Sequence, residues 1–414
     1  MKISNLYRLL LCTTISLLAS EQQPWMNWAG NQKCCPQLNI APSTLKDLQT
    51  SLHFAQQNKL QIRAVGKGYS RSDIATTNDC MISIQNLNKI IEIDSINKRV
   101  KVESGIELKE LSEKLAEQGL SLSNLPATSV TLGGAVSTAV HGTGKTGSLS
   151  SFITEIEMLT ADGSVKKLSK EQNPELFAAA RVSMGALGII YSLTLQCESL
   201  FDIQPQEVTY SFEEVIKNYK KLYENNDYFQ FIWHIDNNMA ITHLWNKIDH
   251  SLSKDLATTR PSHETLLWFS EVGVEKDLAS EYAIPFENLE KALQKVKVIY
   301  EQYKDKGFKT APVVVRFAQG DKDILMSPCG DRKVAYVNIW SPVDDSYLPL
   351  LRTMDEALCE LGGRPHWGKI NFLDYEKASQ MYGSKLTKFI AAKKKLDPDN
   401  LFSNDFVNRL YNLK

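Results

Sequence analysis

The decapeptide AVHGTGKTGS, residues 139–148, decides how this chain is read. Written as A-x-x-x-x-G-K-T, it falls one glycine short of a phosphate-binding P-loop: Ala139 stands where the first glycine belongs, with Lys145 as the phosphate lysine and Thr146 as the magnesium ligand. A P-loop joins a buried strand to a helix whose N-terminus faces the phosphates. Here Gly147-Ser148-Leu149-Ser150-Ser151 is a poor helix start and leads directly into the β-rich FITEIEML. No convincing strand ending in a magnesium-binding aspartate follows. The triphosphatase reading is set aside, and the glycines need another purpose.

Small residues are concentrated twice, in VGKGYSRSD (65–73) and in TLGGAVSTAVHGTGKTGSLSS (131–151). Two such loops at strand ends can present backbone N–H groups to one diphosphate, because glycine lets the main chain approach closely and successive amides form an anion-binding concavity.

At 414 residues the chain is long enough for two domains. A hydrophobic content of 43% with 23% charged residues is that of a globular protein. The formal net charge of −1, with both signs interspersed, excludes a nucleic-acid binder driven by electrostatics. The basic run Lys393-Lys394-Lys395 reads as a solvated helix end. At the N-terminus, Lys2 and Arg8, an apolar run from Leu9 to Ala19 and the small pair Ala19-Ser20 have the order of a signal peptide over residues 1–20, which implies an exported protein. That run is shorter than the roughly 20 residues needed to span a bilayer. Removing the leader leaves Cys34, Cys35, Cys80, Cys197, Cys329 and Cys359, whose spacing suggests buried thiols and no metal site.

No internal repeat or low-complexity segment interrupts the chain. STLKDLQTSLHFAQQNKLQI reads as a helix capped by Ser43, and ITEIEMLTADGSVKKLS as a hairpin turning at Asp162-Gly163. Up to about residue 200 helical and strand patterns alternate. The middle of the chain shifts to aromatic strands (YFQFIWHI, MAITHLW, APVVVRFA, KVAYVNIWSP) with one long amphipathic helix closed by Gly307. From His366 onward a short strand is followed by helices. The class is α+β, with an insert between an N-terminal domain and a tail that rejoins it.

Seven blocks carry a family resemblance: WMNWAGNQKCCP, AVGKGYSRSDIA, LSNLPATSVTLGGAVSTAVHGTGKTGSLSS, LTADGSVKKLS, ELFAAARVSMGALGIIYSLTLQ, VVVRFAQGDKDILMSP, and GGRPHWGKIN with LDPDNLFSNDFV. In this order they resemble the sugar-1,4-lactone oxidases, with alditol oxidase close by, in the vanillyl-alcohol-oxidase superfamily of FAD enzymes. The resemblance implies an FAD-binding domain of two α+β subdomains of the PCMH type over residues 34–200, an α+β cap domain over 201–365, and a C-terminal segment, 366–414, returning to the flavin. It places Gly66, Lys67, Gly68, Tyr69 and Ser70 at the FAD pyrophosphate, and Ser137, His141, Gly142, Thr143, Gly144, Gly147, Ser148, Ser150, Ile190 and His366 along the rest of the cofactor. Lys145 becomes a surface lysine in a turn.

Oxidation of an alcohol carbon sends a hydride to the flavin while the hydroxyl proton is lost, so fixed cations at the developing negative charge lower the barrier. The resemblance assigns that role to Arg316 and Lys369. Three departures stand out. Many relatives carry a glutamate two residues before the arginine, where this chain has Val314, which leaves Lys369 or water as proton acceptor. The alditol branch has a histidine and a threonine where YVNIW offers Val337 and Ile339, so the pocket is expected to be apolar, and Asn338 leans toward the lactone branch. Many of these oxidases bond flavin covalently through the histidine of a G-H-S loop. Here the loop reads Gly68-Tyr69-Ser70, and a phenol, with an ordinary pKa of about 10, is a poor nucleophile at neutral pH, so the FAD is expected to be non-covalent. The expected partners are a small sugar lactone or polyol and either oxygen or an electron carrier. A polyol oxidase, or an exported FAD protein of weakened turnover, stays open at this point.

Overall fold

The computed structural model describes residues 19–20, 24–124, 126, 129–251, 258–264 and 276–412. The leader up to residue 18, with Cys12, and residues 21–23 beyond its expected cut lie outside the described residues.

Three large sheets carry the chain. In the first, Leu38–Ile40 and Ile62–Val65 flank Cys80–Ser83 in parallel, and Ala19–Ser20 adds an antiparallel edge. Its helix, Leu45–Gln57, is capped by Thr44, one residue past Ser43, whose hydroxyl accepts from the Asp47 amide at 3.1 Å. Both residues are cap formers, so the sequence signal marks the start to within one residue. Leu48, Leu52 and Ala55 fall on one helical stripe and are buried.

The second sheet is antiparallel, in the order Val165–Ser169, Ile153–Leu159, Ile189–Gln196, Arg99–Glu103, Ile90–Asp94. Its hairpin turns through Asp162-Gly163, with Gly163 at φ 78°.

The third and largest sheet has eight antiparallel strands, in the order Arg260–Pro261, Phe201–Ser211, Met239–Asp249, Tyr228–His234, Val313–Ala318, Val334–Pro342, Asp277–Pro285, Arg364–Pro365. One face is covered by the helices Phe212–Asn225, Leu289–Lys304 and Leu348–Cys359, which bury Val313, Val315, Phe317, Val337 and Ile339 beneath them. Side chains alternate along a strand, so Val314, Arg316, Tyr336 and Asn338 belong to the opposite face, toward the first two sheets. This corrects one expectation: Val337 and Ile339 pack under helices and do not make the pocket apolar.

The tail comes back to the beginning. Helices Ser384–Leu396 and Asp405–Tyr411 bury Leu386, Phe389, Leu396, Phe406 and Leu410 in the core that holds Val100, Leu111 and Leu193. Lys393 is not solvated: it is 1% exposed, pairs with Asp397 at 2.8 Å and donates to the Ala186 carbonyl at 3.0 Å. Asp397 also accepts from the Leu401 and Phe402 amides, so a buried ion pair closes the last turn of the helix against the Gly185–Gly188 bend. A run of three lysines hides such a pair, because only its first member turns inward.

Candidate active site

A cleft runs from the first sheet to the third. Its floor at one end is the loop Gly66–Arg71, where the strand Ile62–Val65 ends, together with Thr131, Gly133, Gly134 and Ser137 of the helix Leu132–Ser137 and its cap. Among the described residues the amides of Lys67, Gly68, Tyr69 and Ser70 donate no hydrogen bond within the chain. Four free N–H groups in succession, with Gly68 at φ 68°, form an anion-binding concavity. The close approach depends on glycine: a Cβ at Gly66 would lie 1.9 Å from Thr131 Oγ1.

A short N-terminal hairpin, Trp25–Met26 with Lys33–Cys34, fastens this loop. Asn27, 2% exposed, donates to the Ser70 carbonyl at 2.8 Å, and the Trp28 amide donates to Gly68 O at 2.8 Å. The Trp28 ring stacks on Tyr69 at 5.2 Å and under the Arg71 guanidinium at 4.7 Å. Arg71 in turn makes a bidentate pair with Asp277 on the large sheet, both contacts at 3.0 Å. Sequence reading missed Asn27 and the Arg71–Asp277 clamp, since neither spacing nor residue type marks a contact between segments 206 positions apart.

Gly66, Lys67, Gly68, Tyr69, Ser70, Ser137, His141 and Ile190 line the cleft, and so do Arg316, His366 and Lys369 at its far end. Gly142, Thr143, Gly144, Gly147, Ser148 and Ser150 do not. Most of that stretch is sewn to the large sheet. Thr143 Oγ1 donates to Phe229 O and accepts from the Phe317 amide, and the Gly144 amide donates to Phe317 O at 2.8 Å. Ser148 donates through both N and Oγ to Asp321 at 2.7 Å, and Ser327 Oγ donates to the same carboxylate at 2.6 Å. The loop thus runs alongside Val313–Ala318, the strand that carries Arg316. Lys145 is exposed and donates to Glu224 O at 2.9 Å.

At the far end two cations converge. Among the described residues, neither the Arg316 guanidinium nor the Lys369 ammonium makes a hydrogen bond or ion pair, though both side chains are partly buried and line the cleft. Burial, then Arg71, lowers the Lys369 ammonium to about 8 against the opposing pull of Glu281 and Asp277. Arg316 is lowered by burial too, with Glu281 opposing. Burial drives the His366 imidazole down to about 3; it is neutral in the working range, and its Nδ1 accepts from the Gly368 amide at 3.1 Å.

Glu281 is the residue that sequence reading did not find. It is 3% exposed, lies on the strand Asp277–Pro285 and lines the cleft. Its Oε2 lies 3.5 Å from His141 Nε2, and its backbone carbonyl accepts from the His366 amide at 2.8 Å. Burial alone would raise its pKa, but His141, and then Lys369 and His366, hold the carboxyl well below its ordinary range. The signal available was a glutamate at the centre of the strand DLASEYAIP, the one charged residue after Asp277 opens it. His141, Glu281 and His366 offer ligand atoms within 4.8 Å of one another. Arg316 and Lys369 stand beside them, and with one carboxylate, Glu281, against two cations this end of the cleft has a field that favours an anion.

An elongated cleft with free amides at one end and, at the other, two cations that make no hydrogen bond or ion pair among the described residues fits a dinucleotide with a redox-active ring. The fold is that of the FAD-dependent oxidoreductases of the vanillyl-alcohol-oxidase, or PCMH, type. Among solved structures it is similar to a solvent-stable cholesterol oxidase (TM-score 0.78, 16% identity, 95% of this chain and 98% of that one) and to a xylooligosaccharide oxidase from Myceliophthora thermophila (TM-score 0.73, 15% identity, 91% and 92%). Residues 36–169 match the FAD binding domain family, and residues 275–410 match the D-arabinono-1,4-lactone oxidase family. The chain is 32% identical to L-gulonolactone oxidase of Bos taurus over 434 aligned positions, covering 94% of this chain and 98% of that one. It is 28% identical to L-gulono-1,4-lactone dehydrogenase of Mycobacterium tuberculosis, covering 93% and 98%. The chain belongs to this family of FAD-dependent sugar-lactone oxidases and dehydrogenases.

Proposed function

We propose that this protein oxidises an alcohol carbon of a sugar-1,4-lactone of the gulono- or arabinono- type, with FAD held non-covalently, and passes the electrons to oxygen or to a carrier. The observation that carries the reading is the pair of unpartnered cations, Arg316 and Lys369, in the same cleft as the free amides of residues 67–70. Unpaired buried charge is costly to hold, so a pocket that keeps two such groups is built for an anion or a developing one. Bound FAD supplies the acceptor for the hydride leaving the substrate carbon. The chain supplies the rest. The amides of Lys67 to Ser70 hold the diphosphate, His366 offers its remaining ring nitrogen to the cleft, and Arg316 and Lys369 stabilise negative charge on the substrate oxygen and on the adjoining edge of the cofactor ring.

Non-covalent attachment is supported by Tyr69. Its ring is held against Trp28, and among the described residues no base hydrogen-bonds its hydroxyl. The weakened-enzyme reading loses two of its supports, because Val337 and Ile339 lie on the helix-covered face. Steady-state turnover on a panel of aldono-1,4-lactones beside open-chain alditols tests the substrate class: higher kcat/KM on lactones supports it, and a preference for alditols rejects it.

A further inference from the structure

Lys369 is held from both sides, and its two holders are joined to each other. On one side the Arg71 amide donates to the Gly368 carbonyl at 2.8 Å, and Ser72 Oγ donates to the Trp367 carbonyl at 2.8 Å. On the other side the Ile370 amide donates to Ala279 O at 2.9 Å, on the strand Asp277–Pro285. The fork between Arg71 and Asp277, whose side chains are only 10% and 17% exposed, links the first holder to the second. Contacts and chain thus close a ring that runs from Arg71 through Asp277, Ala279, Ile370, Lys369 and Gly368 back to Arg71. The ring is anchored from outside. Asn31 and Gln32 donate to Arg71 O at 2.8 and 3.2 Å, and the buried Trp367 donates through Nε1 to Met326 O at 2.6 Å.

We infer that Arg71 and Asp277 are positioning residues, and that their fork sets the Lys369 ammonium at a fixed place relative to the cofactor held by the loop Gly66–Arg71. The inference rests on the reading above, in which Lys369 stands at the edge of the cofactor ring. Arg71 belongs to both structures at once: it ends the loop whose amides face the diphosphate, and its Nη1 donates back to Tyr69 O at 2.9 Å. Opening the fork leaves Gly368 and Ile370 tied to two segments that no longer grip each other at this point, and Lys369 between them loses its fixed place.

The chemistry of the pair fits this role. A guanidinium that meets a carboxylate through two parallel N–H donors fixes direction as well as distance, which an ammonium, as a point charge, does not. The fork also removes a cation from the field of the cleft. Arg71 lines the cleft, and Asp277 is the carboxylate that neutralises it. A charge placed to act on a transition state gains from such fixing, since misplacement by about 1 Å can cost on the order of 10²-fold in rate.

The test uses the FAD-loaded protein and reads two quantities, the flavin reduction potential and the rate of anaerobic reduction by a sugar lactone. An ammonium beside the ring favours the reduced, more negative flavin, so Lys369→Met is expected to lower the potential. Arg71→Lys keeps the charge and loses the fork; it is expected to lower the potential toward that of Lys369→Met and to slow reduction by about 10- to 10²-fold. Asp277→Asn is the second variant and is expected to slow reduction likewise. Because it also removes a charge, each variant is repeated in Lys369→Met, where the direct effect of charge stays and the positioning effect vanishes. Effects of equal size with and without Lys369 overturn the assignment, as does a wild-type potential in Lys369→Met or in Arg71→Lys. A lower unfolding midpoint with wild-type potential and rate also overturns it, as does loss of flavin from both folded variants, which would leave the pair serving the diphosphate loop alone. If no lactone or polyol reduces the wild type, the proposed function falls, and the potentials, which need no substrate, decide the positioning role by themselves.

Discussion

Glu281 and Val314 stand on one rung of the large sheet, with Asn338 between them: Glu281 pairs with Asn338, and Asn338 with Val314. Two strand spacings, roughly 10 Å, separate them. Of the strand Val313–Ala318 it is Arg316 that lines the cleft, while Glu281 lines it beside the His366–Lys369 turn, whose backbone Glu281 itself holds.

The two cations should be separable from flavin binding. Arg316→Ala and Lys369→Met are each expected to lower turnover by about 10²-fold or more while the protein stays yellow, because they act on charge that develops only in the transition state. Lys369 is needed charged, and its pKa lies near 8, so kcat/KM should fall as pH rises through about 8 and be flat below it down to the neutral range. Lys369→Arg should move that fall to higher pH. A wild-type rate in either truncation would remove the residue from the site.

Gly66→Ala should lose flavin without unfolding the protein. The new methyl meets Thr131 Oγ1 beneath the amide nest. Overpacking of this kind costs about 1–3 kcal/mol, or roughly 5- to 150-fold in affinity if it falls on the bound state. Flavin content of the purified variant, with circular dichroism as the folding control, is the measurement. Full flavin occupancy would show that the loop does not hold the diphosphate.

The stitch between Ser148 and Asp321 should be worth more to stability than to chemistry. Asp321→Ala leaves the buried Ser148 amide without its acceptor and is expected to cost at least about 2 kcal/mol, seen as a lower unfolding midpoint. The flavin of the surviving folded protein should still be reducible by substrate.

Acid precipitation of the yellow protein is expected to leave all the flavin in the supernatant, as a Gly68-Tyr69-Ser70 loop without a base at the phenol requires. Fluorescence retained on a peptide containing Tyr69 would show a covalent link.

Much of this architecture was legible in the residues. Alternation in APVVVRFA and KVAYVNIWSP named strands, and glycine clustering at 65–73 marked the loop whose amides line one end of the cleft. What was not legible depends on which strands lie side by side. Nothing in GTGKTGSLSS says that it will bond to a strand 174 residues away, and the same glycines that suggest a phosphate loop serve equally to let one backbone run against another. The faces of YVNIW could be assigned only once the helices that cover Val337 and Ile339 were in place. Glu281 lay hidden because a carboxylate was sought on the arginine's own strand, two strands away in the sheet.

The most direct test of the whole account is anaerobic mixing of the purified yellow protein with L-gulono- or D-arabinono-1,4-lactone while the visible spectrum is followed. The account predicts that the flavin band bleaches in the wild type, and does so at least about 10²-fold more slowly in Lys369→Met. A flavin band left unchanged by every sugar lactone would contradict it.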